Sequence, residues 1–232
     1  MAVKSSFKNM SLCLLAICLV CSGLLAGVYA LTKAPIDAAA KAKNEAAIKE
    51  VLPENAVTIE EEKTIDVDGF TYTYNRAFDE KGETAGIAIN VAPVGFGGPI
   101  VIKVGFKVDN IAGKHLVWNT KVLSQAETPG LGAKCVEEEF ASRFRELDPA
   151  VKKLAVRKDG GDIDGITAST ITSRAFVSGI ATAVNVLAAI EGTPMLIDTA
   201  TGASSSEWDA AAQKDTTATS VILNDSEVSE AK

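Results

Sequence analysis

Ten residues, Asp164 to Ser173 (DGITASTITS), hold the side chains best placed for chemistry. A hydroxyl, Thr170, stands six positions after the carboxyl of Asp164, in a run of small residues. It precedes an apolar stretch that reads as a helix from Arg174 to about Glu191. Thr170, Thr172 and Ser173 fall where that helix would begin. A helix start leaves backbone N–H groups unpaired and presents partial positive charge, so it suits a phosphate. The same hydroxyls also suit plain N-caps, a role that Ser and Thr often fill. Spacing alone leaves both roles open.

Two further segments precede this one. Glu127 to Gly132 (ETPGLG) carries Pro129, Gly130 and Gly132, which make a rigid, backbone-exposing loop and, taken alone, nothing more than a turn. Val94 to Phe106 (VGFGGPIVIKVGF) is a glycine-rich lead into an apolar strand. Together and in this order, over roughly Ala39 to Ile190, the three segments resemble the FMN-binding subunits of bacterial ion-translocating electron-transport complexes, nearest to the Rnf G-subunit family. The family's attachment pattern runs Asp, two variable positions, Ser or Thr, Gly, Ala, Thr. Asp164, Thr167 and Thr170 match it, while Ala168 and Ser169, both small, replace its Gly and Ala.

Strands first in hairpins and helices at the ends read as an α+β domain, and the resemblance implies FMN held covalently through its phosphate to Thr170. By matching position, Thr167, Ser169 and Thr172 belong to the attachment motif, and Glu127, Thr128, Gly130 and Leu131 become flavin neighbours. Gly130 and Gly132, lacking Cβ, would let a flat ring approach the main chain. Asp164 serves either recognition by a flavin-attaching transferase or the local turn after Gly160-Gly161. The implied activity is electron relay in a complex that couples ferredoxin and NAD chemistry to ion movement, with the protein positioning and tuning a flavin that does the redox chemistry. Two alternatives stay open: the flavin subunit of a sodium-pumping NADH:quinone reductase, and an anchored binding domain whose hydroxyls are never modified.

From Met10 to Leu31 there are 22 residues without a charge. As a helix they would extend about 33 Å, enough for a bilayer core of about 30 Å. A cleaved signal peptide is the rival, given Lys4, Lys8 and the processing-like Val28-Tyr29-Ala30. The stretch exceeds the roughly 7–15 residues of a signal core, and a helix-like segment follows almost at once, which favours a retained anchor. Lys33, Lys41 and Lys43 follow the span, so flanking charge does not orient it. Placement in the inner membrane, with the domain on the periplasmic face, is what the resemblance implies. The expected organisation is a cytoplasmic start (1–9), a transmembrane helix (10–31), a helical stalk (32–55), the FMN-binding domain (56–194) and a flexible polar tail (195–232). Expected partners are membrane lipid, the other subunits of the complex and the transferase.

A net charge of −7 and no Lys/Arg cluster argue against nucleic acid. No GxGxxG opens a helix and no Walker-type loop occurs, so NADH chemistry belongs to another subunit. Cys13, Cys18 and Cys21 lie in the apolar span and Cys135 alone lies outside it, which precludes a disulfide within the domain. Leu19 and Val20 before Cys21 argue against lipidation. One histidine, His115, and one cysteine are too few for a zinc or iron–sulfur site there. His115 is expected to pack near Trp118 in a strand pair.

The elements that must position these residues follow from periodicity. Pro35 is expected at the first turn of a stalk helix with apolar contacts at Ala38, Ala42, Ala46, Ile48 and Val51, ending before Pro53. Strand-like stretches run from Ile65 to Asn75 (Phe70, Tyr72 and Tyr74 alternating), Thr84 to Ala92, Pro99 to Asp109 and Asn110 to Leu123, with turns at Gly97-Gly98-Pro99 and Asp109-Asn110. A charged helix from Val136 to Leu147, a strand from Val151 to Lys158 and a turn at Asp159-Gly160-Gly161 lead into the attachment motif. The final helix offers Phe176, Val177, Ile180, Val184 and Leu187 to a core. Beyond Pro194 the chain turns to Ser, Thr, Ala, Asp and Glu. There Asp198 to Ser204 (DTATGAS) matches the attachment pattern more literally, with Ser204 as acceptor, but lacks a following apolar helix and a preceding strand.

Overall fold

The computed structural model describes residues 7–109 and 114–193. Lys4, the turn residue Asn110, Pro194 and the tail 195–232 with its Asp198–Ser204 motif lie outside the described residues. The chain divides into two units, one ending at Glu45 and the other beginning at Ala46.

The first unit is most of helix α1, Phe7–Val51, whose apolar residues such as Leu14, Leu19 and Leu25 are exposed. Its length and composition suffice to cross a bilayer. Pro35 lies inside this helix and not at the first turn of a separate stalk. Proline interrupts the ladder there by removing one N–H, without ending the helix. One turn earlier, Thr32 Oγ1 donates to the Val28 carbonyl at 2.8 Å.

The second unit opens with the last turn of α1 and builds an antiparallel sheet from β1 (Thr58–Ile59), β2 (Lys63–Val67), β3 (Phe70–Phe78), β4 (Thr84–Val91), β5 (Val101–Asp109) and β6 (Lys114–Ser124). The order is β1-β3-β4-β5-β6, and β2 shares the β3 edge with β1. The expected single strand over Ile65–Asn75 is therefore a hairpin. Asp68 (φ 52°) and Gly69 (φ 82°) form a two-residue turn in which both residues have positive φ, the geometry that suits the twist of paired strands.

Two later elements also differ from expectation. Val136–Leu147 is broken: the short helix α2 (Glu138–Ala141) is flanked by 3₁₀ turns at Gly132–Val136 and Ser142–Phe144. Phe140 and Phe144 turn into the core, and Leu147 returns to pair with Val117 of β6, which bends the chain before a long helix can form. Val151–Lys158 is not a strand. It contributes one bridge, Val156 to Ile163, before a 3₁₀ turn at Arg157–Asp159 and a left-handed Gly160 at φ 79°.

Helix α3 (Thr170–Glu191) covers one face of the sheet. Phe176, Val177, Ile180, Val184 and Leu187 are buried there with Ile87, Ile89, Ile102, Val104 and Phe106. Phe140, Phe144 and Phe176 form an aromatic cluster with ring centroids 5.0–5.3 Å apart. The other face receives the last turn of α1. Ala47, Ile48, Val51 and Leu52 are buried, whereas Ala38, Ala42 and Ala46, also expected to make apolar contacts, are exposed. Gly105 makes room for it, since a Cβ there would strike the Val51 carbonyl. Lys121 Nζ pairs with Glu50 Oε1 at 2.7 Å, and Asn119 Nδ2 donates to the Glu50 carbonyl at 3.1 Å. The result is an α+β domain preceded by a long apolar helix.

Candidate functional site

Helix α3 begins at Thr170, four residues before the expected start at Arg174. Ser173 explains the shift. Its Oγ donates to the Ser169 carbonyl at 2.8 Å and accepts the Ile166 N–H at 2.8 Å, and its own N–H meets the Ser169 carbonyl at 3.0 Å. The motif thereby closes on itself and draws its last residues into the first helical turn. Ser169 occupies the cap position and makes no side-chain capping bond. None of Thr170, Thr172 and Ser173 is the N-cap. Thr167 and Ala168 are exposed in the turn just before, and Ala168 sits in the left-handed region at φ 62°.

Cations surround the start of α3. Lys158 Nζ donates to Thr170 Oγ1 at 3.4 Å. The 3₁₀ turn that carries Lys158 is tied to α3 by a two-pronged pair: Arg174 Nε meets Asp159 Oδ2 at 2.7 Å and Nη2 meets Oδ1 at 2.6 Å. Those bonds hold the Asp159 carboxyl below its usual range. Arg157 Nε pairs with Asp164 Oδ1 at 3.1 Å in an exposed contact. Arg143 donates to the Asp164 and Gly165 carbonyls, fixing the backbone where the motif starts.

Beneath this rim lies Glu127, 5% exposed. Its Oε1 accepts the Gly97 N–H at 2.9 Å and its Oε2 accepts the Thr172 hydroxyl at 2.6 Å. One carboxyl group therefore joins the glycine-rich segment, the ETPGLG loop and the attachment helix. Three glycines are shaped around it, because a Cβ at Gly95 or Gly132 would strike the carboxylate and one at Gly97 would strike the Ala126 carbonyl. Gly132 is thus filled from within, against the expectation that its missing side chain admits a flat ring. Gly130 differs, with φ 77° and open space where a Cβ would point. Thr128, Gly130 and Leu131 are exposed, and the Thr128 carbonyl accepts the Leu131 and Ala133 N–H groups at 3.1 and 3.2 Å. Buried Cys135 lies close enough to Glu127 that desolvation, and then that carboxylate, push its thiol up to about 11.

The donor set fits FMN. A phosphate on Thr170 would meet the Lys158 ammonium and the first N–H groups of α3, which the Ser169 side chain leaves uncapped. An apolar ring would find Phe96 (70% exposed), Leu131 (43%) and Ile171 (40%). Each is the chain neighbour of a residue set against Glu127, namely Gly97, Gly132 and Thr172. Sequence reasoning missed Lys158, Arg174 and Phe96. Lys158 stood beside the recognised Asp159-Gly160-Gly161 turn, and Phe96 was the one large side chain in the first turn of the glycine-rich segment. His115 lies in the β5–β6 strand pair opposite Val108, as expected, and its Nε2 also meets Glu191 Oε2 at 2.6 Å, which joins β6 to the end of α3.

Residues 95–185 match the FMN-binding domain family, and residues 1–51 match the RnfG N-terminal region. The G-subunit of the ion-translocating oxidoreductase complex of Methanosarcina acetivorans is 32% identical over 178 residues, covering 75% of this chain and 90% of that protein. The protein of the same name from Shewanella piezotolerans is 33% identical over 196 residues, covering 76% and 87%. That of Vibrio atlanticus is 42% identical over 110 residues, covering 44% and 50%. Similarity of this extent shows that the chain belongs to the G-subunit family of ion-translocating oxidoreductase complexes.

Proposed function

We propose that this chain is the flavin-bearing electron-relay subunit of an ion-translocating oxidoreductase complex, with FMN esterified through its phosphate to Thr170. One observation carries the choice of hydroxyl. Thr172 and Ser173 are buried and hydrogen-bonded, and Thr167 precedes the helix, whereas Thr170 combines partial exposure, the first position of α3 and an ammonium group at 3.4 Å. The isoalloxazine supplies the capacity to take up and pass on electrons. The chain's own residues place it. Glu127 holds the three loops together, Lys158 and the α3 start face the phosphate, and Phe96, Leu131 and Ile171 offer an apolar bed. Glu127 enters as a positioning residue, both of its oxygens being engaged by protein donors. Asp164, paired with Arg157, is open to a flavin-attaching transferase.

The segment 10–31 of α1 is the proposed membrane span, in an inner membrane with the domain on the outer face. The expected stalk, 32–55, continues the same helix to Val51, and its last turn docks on the sheet. The proposed physiological role, from the family resemblance, is relay between ferredoxin-side and NAD-side subunits. Thr170→Val keeps the side chain's shape and removes the oxygen. Full-length protein made with a flavin-attaching transferase should gain the mass of one FMN when wild type and none as Thr170→Val, with folding unchanged by circular dichroism. An FMN mass on the Thr170→Val protein would move the attachment elsewhere, with Ser204 the next residue to test.

A further inference from the structure

We infer that Lys158 is the charge partner of the phosphate carried on Thr170, held for that task by the Asp159–Arg174 clasp. The inference rests on the Thr170 reading and adds to it a residue and a role. Four cationic side chains gather about the start of α3, and one of them, Arg143, is taken up by the Asp164 and Gly165 carbonyls. Arg174 is engaged by both oxygens of Asp159, at 2.6 and 2.7 Å, and Arg157 is engaged by Asp164 at 3.1 Å. Lys158 differs from all three. Among the described residues no carboxylate lies within ion-pair distance of it, and its ammonium meets the hydroxyl of Thr170 at 3.4 Å.

A threonine hydroxyl is a weak partner for an ammonium that has three donors to place. An ester phosphate on that same oxygen brings one negative charge and two unesterified oxygens to within a bond or two of Oγ1. The contact of an ammonium with a neutral oxygen then becomes one between opposite charges. Position is fixed by the backbone as well as by the side chain. The Asp159 N–H donates to the Val156 carbonyl at 2.8 Å, Gly160 N–H donates to the Arg157 carbonyl at 3.1 Å, and Gly160 adopts φ 79°, so the turn holds a set shape. Arg174, one helical turn into α3, clamps that turn against the helix that bears the acceptor. The clasp thus registers cation against ester, and the first-turn N–H groups of α3 face the phosphate from the helix side.

Lys158 is exposed, so its amine can be probed directly. Full-length wild-type protein in detergent, produced with the transferase, would be treated with a water-soluble acetylating reagent beside the Thr170→Val protein, and acetylation of Lys158 read by peptide mass spectrometry. The FMN-loaded wild type should acetylate at Lys158 about five-fold more slowly than Thr170→Val, the scale of one exposed charge pair. That protection should fade in roughly 1 M salt, where charges are screened within about 3 Å. Lys158→Met should still show one FMN by intact mass yet lose flavin fluorescence anisotropy, and Lys158→Arg should restore it. Wild-type protein that carries FMN on Thr170 but whose Lys158 acetylates as fast as in Thr170→Val overturns the Lys158 assignment alone. Equal anisotropy in wild type and Lys158→Met does the same. Wild-type protein with no FMN mass on Thr170 overturns the attachment reading, and this inference with it.

Discussion

Among the described residues two charged side chains, those of Glu127 and Lys103, are buried, and the fold treats them in opposite ways. Glu127 lies beneath the attachment helix with both carboxylate oxygens engaged, at 2.6 and 2.9 Å. Lys103 of β5, alternating with Gly105 on the face that receives the end of α1, has no exposed surface and one long contact, to Asn75 Oδ1 at 3.5 Å. Desolvation lowers Lys103 from its ordinary value to about 8, against a smaller opposing pull from Glu62. Short bonds from two separate segments make a buried polar group a joint, while one long bond leaves a charge that the fold merely tolerates. The joint stands where the glycine-rich segment, the ETPGLG loop and the first turn of α3 meet. The tolerated charge stands where the domain needs only packing.

Breaking the joint should have the largest effect. Glu127→Ala leaves the Gly97 N–H and the Thr172 hydroxyl without their partner, and opens a void beside Gly95 and Gly132. Each lost hydrogen bond to a carboxylate is worth about 1.5–3 kcal/mol, so for the two a loss of about 3–6 kcal/mol is expected in chemical denaturation. A loss under about 1 kcal/mol would show that the three segments are held in register by packing alone.

The opposite change at the tolerated charge should strengthen the domain. Folded Lys103 titrates at about 8 against 10.5 when unfolded, so the unfolded chain binds more protons between those values. Stability from this group therefore rises with pH from about 8 to 10.5 and is lost as pH falls back through that window, remaining about 3 kcal/mol lower below it. Lys103→Met removes the charge and keeps an adaptable chain of similar length. The variant should gain about 3 kcal/mol at neutral pH and show no rise above pH 8 from this source. Denaturation curves collected across pH 7–11 check both points, and parallel wild-type and Lys103→Met profiles would remove Lys103 as the cause.

The same contrast explains how much of this molecule could be read from its sequence. Long periodic signals held: the apolar face of α3, the aromatic alternation of β3 and the strands over Thr84–Val91 and Val101–Asp109 all sit where their spacing placed them. Helix limits that hang on single contacts did not. The helix start moved to Thr170 because one serine, Ser173, makes two bonds that no propensity encodes. The helix expected from Val136 broke because Phe140, Phe144 and Leu147 answer to distant partners. The loops of the site were visible as separate glycine-rich turns. Their convergence was not, because it depends on a carboxyl group reaching Thr172, 45 positions away.

The smallest effect is expected at Ala168, on the rim above the joint. Its φ of 62° lies in the left-handed region, where a Cβ crowds the following carbonyl oxygen. The family's attachment pattern has Gly at this position, and the backbone here adopts the conformation that glycine enters without strain. Ala168→Gly removes a strain of about 1–2 kcal/mol and adds freedom to the unfolded chain worth about 0.4–1 kcal/mol. The net gain should be about 0.5–1 kcal/mol, seen as a rise in denaturation midpoint with an unchanged slope. Ala168 is exposed, so no packing is lost with its methyl group. If Ala168→Gly instead lowers stability, the turn before Thr170 is not held in the left-handed region, and the strain belongs elsewhere in the motif.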